Sequence, residues 1–197
     1  MEGKHQHAEG LVAMVSRYLV ELQRASGSRR VGIGLGGVDS WKPPEAGWVK
    51  VNYDVPLFAD GKEGGVGVVA RSKIGECVAW VSYLFAKIVY PEEVEAMAAR
   101  EVALLAIRLS WPTIILEGDW ASLVHKLQVR ETDLSAIGPL TQDIKCIVVR
   151  SSCVFSLVRR AGNKVAHYLS RSAGAFTVGS PNLPTHVFQT PVSDLET

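Results

Sequence analysis

A chain of 197 residues with 47% hydrophobic and 21% charged side chains has ordinary globular composition: one domain plus tails, large enough to bury a core without covalent staples. The net charge of +1 excludes a global basic footprint, so any contact with a polyanion must rest on local patches. The three cysteines, Cys77, Cys146 and Cys153, form no CxxC pair, which argues against a disulfide framework or structural zinc and for a reducing compartment. No apolar run approaches the roughly 18 residues of a membrane span, and the N-terminus has no secretory apolar core with a cleavage site. The expectation is an intracellular protein of nucleus or cytoplasm, neither secreted nor membrane-bound.

Residues 8–26 place Leu11, Val15, Tyr18, Leu19 and Leu22 at helical spacing and predict an amphipathic helix, a candidate for self-association. The stretch 26–40 is glycine-rich linker, and its Gly32-Ile33-Gly34-Leu35-Gly36-Gly37 lacks the helix and Lys-Ser/Thr of a phosphate loop. From residue 47 to 55 the pattern alternates: Val49, Val51, Tyr53 and Val55 on one side, Trp48, Lys50, Asn52 and Asp54 on the other, a strand. A polar loop with Asp60-Gly61 precedes two strands, 65–71 and 77–83, joined by a turn at Ser72-Lys73-Ile74-Gly75. Pro91 opens a helix with Glu92 and Glu93 in its first turn, running to about Ser110 before Pro112. Then follow a short buried strand 113–116, a helix from Asp119 to about Val129, a helix 135–150, a strand 153–158 and a last helix 163–175. Strands alternating with helices join a sheet in parallel. The expected fold is therefore α/β: a five-stranded mixed sheet, three antiparallel strands in a meander plus two parallel, flanked by helices. The expected divisions are 1–40 (helix and linker), 41–176 (domain) and 177–197 (tail).

Three carboxylates attract chemical interest. Glu95 heads an apolar stripe formed with Ala98, Ala99, Val102, Ala106 and Leu109, so it points along a buried face and needs a cation or hydrogen-bond donors. Asp54 ends the first strand, where acidic residues are poor strand formers; alternatively it simply begins the loop. Asp119 follows the strand 113–116, with a plain helix cap as its alternative role. Sites in open α/β sheets form beyond the carboxyl ends of strands. Three acids converging there repel unless a cation is bound, and oxygen ligands suit Mg2+ or Mn2+. Two such ions about 3.5–4 Å apart align an attacking water and a leaving oxygen in phosphodiester hydrolysis. Arg159, Arg160 and Lys164 lie in a basic last third that also holds Lys145, Arg150 and Arg171, a candidate phosphate-contacting surface or a solvated face. The five tryptophans read as packing residues, and His125 and Asp133 have no nucleophile-elbow context.

The segments Trp41-Lys42-Pro43-Pro44, Lys50-Val51-Asn52-Tyr53-Asp54, Gly64-Gly65-Val66-Gly67-Val68-Val69-Ala70-Arg71, Glu95-Ala96, Glu117-Gly118-Asp119 and Asn163-Lys164-Val165-Ala166-His167 together resemble the plant ribonuclease H-like domain related to non-LTR retrotransposon reverse transcriptases, over about Trp41 to Phe176. The resemblance implies an endonuclease that hydrolyses the RNA strand of RNA/DNA hybrids with two Mg2+ (or Mn2+) ions. Asp54 would bridge both ions and Glu95 and Asp119 hold the one on the leaving-group side. Nucleic-acid contacts would fall on Asn52, Arg159, Arg160, Asn163 and Lys164. It also implies a departure: catalytic ribonucleases H have a fourth carboxylate where this chain has His167. An imidazole can ligate a metal but adds no negative charge and is softer than Mg2+ prefers. Val55-Pro56 replaces the small residues expected after the first acid, and the loop Arg159-Arg160-Ala161-Gly162 lacks a histidine. Two outcomes remain open: a metal-dependent nuclease, or a weakened or inactive domesticated module that binds nucleic acid or protein on the same fold.

Overall fold

A computed structural model describes residues 41–56, 63–86, 90–173 and 177–179. The helix expected at 8–26, the glycine-rich linker, the Asp60-Gly61 loop and the tail beyond 179 lie outside the described residues. The elements run β1 (Val49–Asp54), β2 (Glu63–Arg71), β3 (Cys77–Ala86), α1 (Pro91–Arg108), β4 (Thr113–Gly118), α2 (Ala121–Gln128), α3 (Gly138–Ile147) extended by a 3-10 turn Val148–Arg150, β5 (Ser152–Leu157), α4 (Lys164–Arg171) and β6 (Thr177–Gly179). The sheet order is β5-β4-β1-β2-β3-β6. β1, β2 and β3 pair antiparallel, whereas β4 and β5 join β1 in parallel. The expected five-stranded mixed sheet is present, and the three-residue β6 adds a further antiparallel edge on β3, beyond the boundary drawn at 176. No helix among the described residues is long and apolar enough to cross a membrane.

Local chemistry explains the elements. The β2–β3 turn closes with Gly75 N donating to Ser72 O at 2.9 Å, and Gly75 takes φ +81°, a conformation open to a residue without Cβ. α1 begins with Pro91, whose missing N–H would be unpaired in a first turn anyway. It buries Val94, Ala98, Ala99, Val102 and Ala106, small side chains that let the helix lie close on the sheet.

Three helix starts differ from the sequence reading. α2 starts at Ala121 with Trp120 at the cap and no side-chain cap bond, so Asp119 is not a cap. α3 starts at Gly138, because Asp133 accepts from Ser135 N at 2.9 Å and holds the preceding residues in a turn. α4 starts at Lys164 with Asn163 at the cap position, its side chain bonded to β1 and making no cap bond.

Both faces of the sheet are covered at its centre. Val51, Tyr53 and Val55 of β1 join the large core with α1, α2 and α3. Each fully buried aliphatic side chain there stabilises by roughly 1.5–3 kcal/mol relative to exposure. On the opposite face α4 lays Val165, Ala166 and Leu169 on Val69 and Trp80. The approach is at backbone contact: a Cβ on Gly65 would stand 1.8 Å from Ser170 O, and one on Gly67 2.1 Å from Ala166 O. Buried Ser82 fixes the same helix, donating from Oγ to Leu169 O at 2.9 Å.

Candidate active site

Asp54 is the last residue of β1 and pairs across to Gly67 of β2, beneath α4. That placement turns a helix face onto its carboxylate. His167 Nδ1 donates to Asp54 Oδ2 at 2.9 Å. Ser170, three residues on along the same face, sets its Oγ 2.9 Å from the same oxygen and 2.7 Å from His167 O. Asp54 is 5% exposed and Ser170 fully buried. Asn163 pins the start of α4 to β1, its Nδ2 donating to Tyr53 O at 2.8 Å, while its Oδ1 is buried without a partner.

Glu95 and Asp119 come from the other layer. Glu95 sits just past the first turn of α1, and Asp119 follows β4. Together with Tyr90, Pro91, Glu92, Glu93, Trp120 and Ile137 they line a groove of about 650 Å³. Burial, then Asp119, then Asp54 push the Glu95 carboxyl up from 4.5 to about 8. Asp119 is also raised, first by burial and then by Asp54; the opposing influences are Arg160, a backbone N–H and His167. Acids distant in sequence thus act on one another's charge: Asp119 and Asp54 on Glu95, and Asp54 on Asp119. Tyr53 lies next to them: its phenol is raised by burial, then by Glu95 and Asp119, and a Cβ on Gly118 would meet its hydroxyl at 2.5 Å.

Behind the acids a buried polar network ties β1, β2 and β4 together. Lys50 Nζ lies 2.8 Å from Glu117 Oε1, Asn52 Nδ2 donates to Glu117 Oε2 at 2.9 Å, and Arg71 Nη2 donates to Asn52 Oδ1 at 2.8 Å. Trp41 covers the network, its ring 3.8 Å from the Arg71 guanidinium carbon.

The expected nucleic-acid contacts therefore divide. Asn52 and Asn163 are fully buried with their amides turned inward, so neither presents a donor to a duplex; that part of the sequence reading is corrected. Arg159, Arg160 and Lys164 are exposed. Arg160 and Lys164 line, with His167, Tyr168 and Arg171, a second recess of about 350 Å³. Sequence reasoning missed Ser170, Tyr53 and the Lys50–Glu117–Arg71 network. The signal available for Ser170 was Gly65 and Gly67: glycine inside a strand marks a close backbone approach.

Oxygen donors from Glu95, Asp119 and Asp54 fit a hard divalent cation in kind and charge. Among the described residues, no three His, Cys, Asp or Glu side chains are grouped as a ready-made metal cage.

Comparison with known proteins gives the same fold. Ribonuclease H1 from the archaeon Halobacterium salinarum is 19% identical, with a TM-score of 0.57 over 64% of this chain and 96% of that one. The N-terminal ribonuclease H domain of rv2228c from Mycobacterium tuberculosis is 16% identical, with a TM-score of 0.57 over 64% and 92%. LC11-RNase H1, isolated from compost by a metagenomic approach and solved in complex with RNA/DNA hybrid, is 18% identical with a TM-score of 0.51 over 64% and 95%. No curated protein matches the chain. The family model described as reverse transcriptase-like matches residues 52–173, which span β1 to the end of α4 and include all three acids and His167. The chain belongs to the reverse transcriptase-like family and folds as a ribonuclease H-like domain.

Proposed function

We propose that the chain is a ribonuclease H-type nuclease domain that hydrolyses the RNA strand of RNA/DNA hybrids with Mg2+ or Mn2+. In this reading Asp54, Glu95 and Asp119 are the catalytic carboxylates of a retrotransposon-derived domain of the plant non-LTR type. The domain occupies 41–176, with an N-terminal helix and linker at 1–40 and a tail from 177. The supporting observation is that Glu95 is raised by burial, then by Asp119 and Asp54, and Asp119 by burial and then by Asp54, since a pocket of like charges is tolerable only with protons or cations in it. When bound, a divalent cation supplies Lewis acidity at the scissile phosphate. Glu95 and Asp119 would hold it from the groove side, and Asp54 from the sheet. Arg159, Arg160 and Lys164 would bind backbone phosphates beside the acids, which positions a duplex without reading its sequence. The self-association expected of the N-terminal helix and a nuclear or cytoplasmic location belong to the same proposal.

The test is cleavage of a labelled RNA/DNA hybrid by the full chain in Mg2+ and in Mn2+, wild type against Asp54→Asn. Equal rates in the two proteins reject catalysis. A second reading, a binding module without turnover, is favoured by His167 at the fourth ligand position, where its imidazole faces Asp54. Hybrid binding with no Asp54-dependent cleavage supports that reading.

A further inference from the structure

We infer that the acid site admits one divalent cation and not two, because His167 and Ser170 already occupy the Asp54 oxygen that a second ion would need. The inference rests on reading Asp54, Glu95 and Asp119 as a cation site. In the two-ion arrangement implied by the resemblance, with ions about 3.5–4 Å apart, one carboxylate would give an oxygen to each ion. Asp54 is the residue in that position, and its Oδ2 receives the His167 Nδ1–H and faces the Ser170 hydroxyl, each at 2.9 Å. A carboxylate oxygen has about two lone-pair directions. Here one meets the His167 ring nitrogen and the other the Ser170 hydroxyl, whose single proton is shared with His167 O at 2.7 Å, so both atoms stand where a cation would sit.

The donors cannot retreat together. Ser170 is fully buried, and its helix is held at backbone contact by Gly65 and Gly67, at one end by Asn163 on Tyr53 O, and at Leu169 by Ser82. The His167 side chain is 30% exposed, yet turning outward would leave Asp54, itself 5% exposed, short of a donor. With Nδ1 turned to Asp54, an ion on His167 Nε2 would lie across the ring, too far away to share the Asp54 carboxylate. What remains for a cation is the groove lined by Glu95 and Asp119, two carboxylates that would hold one ion completed by substrate phosphate.

The test counts Mn2+ ions bound by the full chain, from the loss of the free-ion electron paramagnetic resonance signal. One ion per chain is expected for wild type, none for Glu95→Gln at the same concentrations, and two for His167→Asp. Two ions on the wild type overturn the inference, as does a single ion on His167→Asp that circular dichroism shows to be folded. An observation independent of any variant is the 1H–15N resonance of His167 Nδ1 under saturating Mg2+. It persists if the bond to Asp54 is retained, and its loss on Mg2+ binding overturns the inference. The cleavage comparison reports separately. One bound ion without hybrid cleavage rejects the nuclease and keeps the single-ion site; two bound ions with cleavage do the reverse.

Discussion

Removing the charge of Glu95 should strengthen the cation-free protein and abolish its response to divalent ions. Burial and the nearby Asp119 and Asp54 raise the Glu95 carboxyl from 4.5 to about 8 in the folded chain. The folded state therefore holds a proton on Glu95 through a range where the unfolded chain has released it. By linkage, unfolding free energy falls as pH rises from about 4.5 and levels off above about 8. At about 1.36 kcal/mol per tenfold change in proton affinity, the full loss is at most ~5 kcal/mol. Glu95→Gln keeps the shape and carries no charge at either end, so this contribution to the pH dependence disappears. The assay is urea denaturation from pH 5 to 9 in chelator, wild type beside variant. The gap should widen in favour of the variant as pH rises. Added Mg2+ should close it in wild type, and calorimetry at pH 7 in buffers of different ionisation enthalpy should show a proton released per ion bound. Parallel pH profiles for the two proteins would refute the reasoning, because they would mean that Glu95 is solvated and apart from the other acids.

Three further outcomes follow from named contacts. Gly67→Ala drives a methyl into Ala166 O and should cost at least ~2 kcal/mol by urea denaturation, with loss of the His167 Nδ1 resonance as α4 shifts; an unchanged resonance would mean the helix has room to spare. Glu117→Ala strips the partner from nearly buried Lys50 and from the Asn52 amide, and a loss of ~3–5 kcal/mol in thermal or urea unfolding is expected. A change under ~1 kcal/mol would show that Lys50 reaches water on its own. Arg160→Ala should weaken hybrid binding and lower the slope of log affinity against log salt by about 1, measured by fluorescence anisotropy at several salt concentrations. An unchanged slope would remove Arg160 from the phosphate contacts.

How much of this could be read beforehand depended on the range of the interaction. Periodicity is local, so the alternation around Val51 and Tyr53 located β1 and its core face, and Pro91 located the start of α1. The convergence of Asp54, Glu95 and Asp119 was legible only as a conjunction of three element ends. Asp119 illustrates the ambiguity: aspartate before a helix is ordinarily a cap, and only the structure moves the helix start to Ala121. Asn52 and Asn163 were misread because polar side chains on a strand and at a helix start look alike whether they face water or a buried partner. Their partners, Glu117 and Arg71 for one and Tyr53 O for the other, lie 19 to 110 residues away. Ser170 had no local signature, since its role follows from the approach of α4 to two glycines on β2.

The three acids relieve their mutual repulsion by different means, and this decides which one answers to a cation. Asp54 lies under two side chains that belong to the fold, the His167 ring nitrogen and the Ser170 hydroxyl, each 2.9 Å from its Oδ2. Asp119 is partly exposed and is eased by Arg160, by a backbone N–H and by His167. Among the described residues the influences on Glu95, burial and then Asp119 and Asp54, all push its carboxyl upward, toward keeping a proton. The first two adjustments are built into the chain and persist without a ligand. A proton is exchangeable, so at neutral pH Glu95 is where a cation bound at the proposed site would displace something, and where the electrostatic cost of assembling the site would be recovered. His167 at the fourth position is consistent with that division. It gives Asp54 a resident partner, so the α4 half of the site holds together without metal, while the α1 half depends on its occupant.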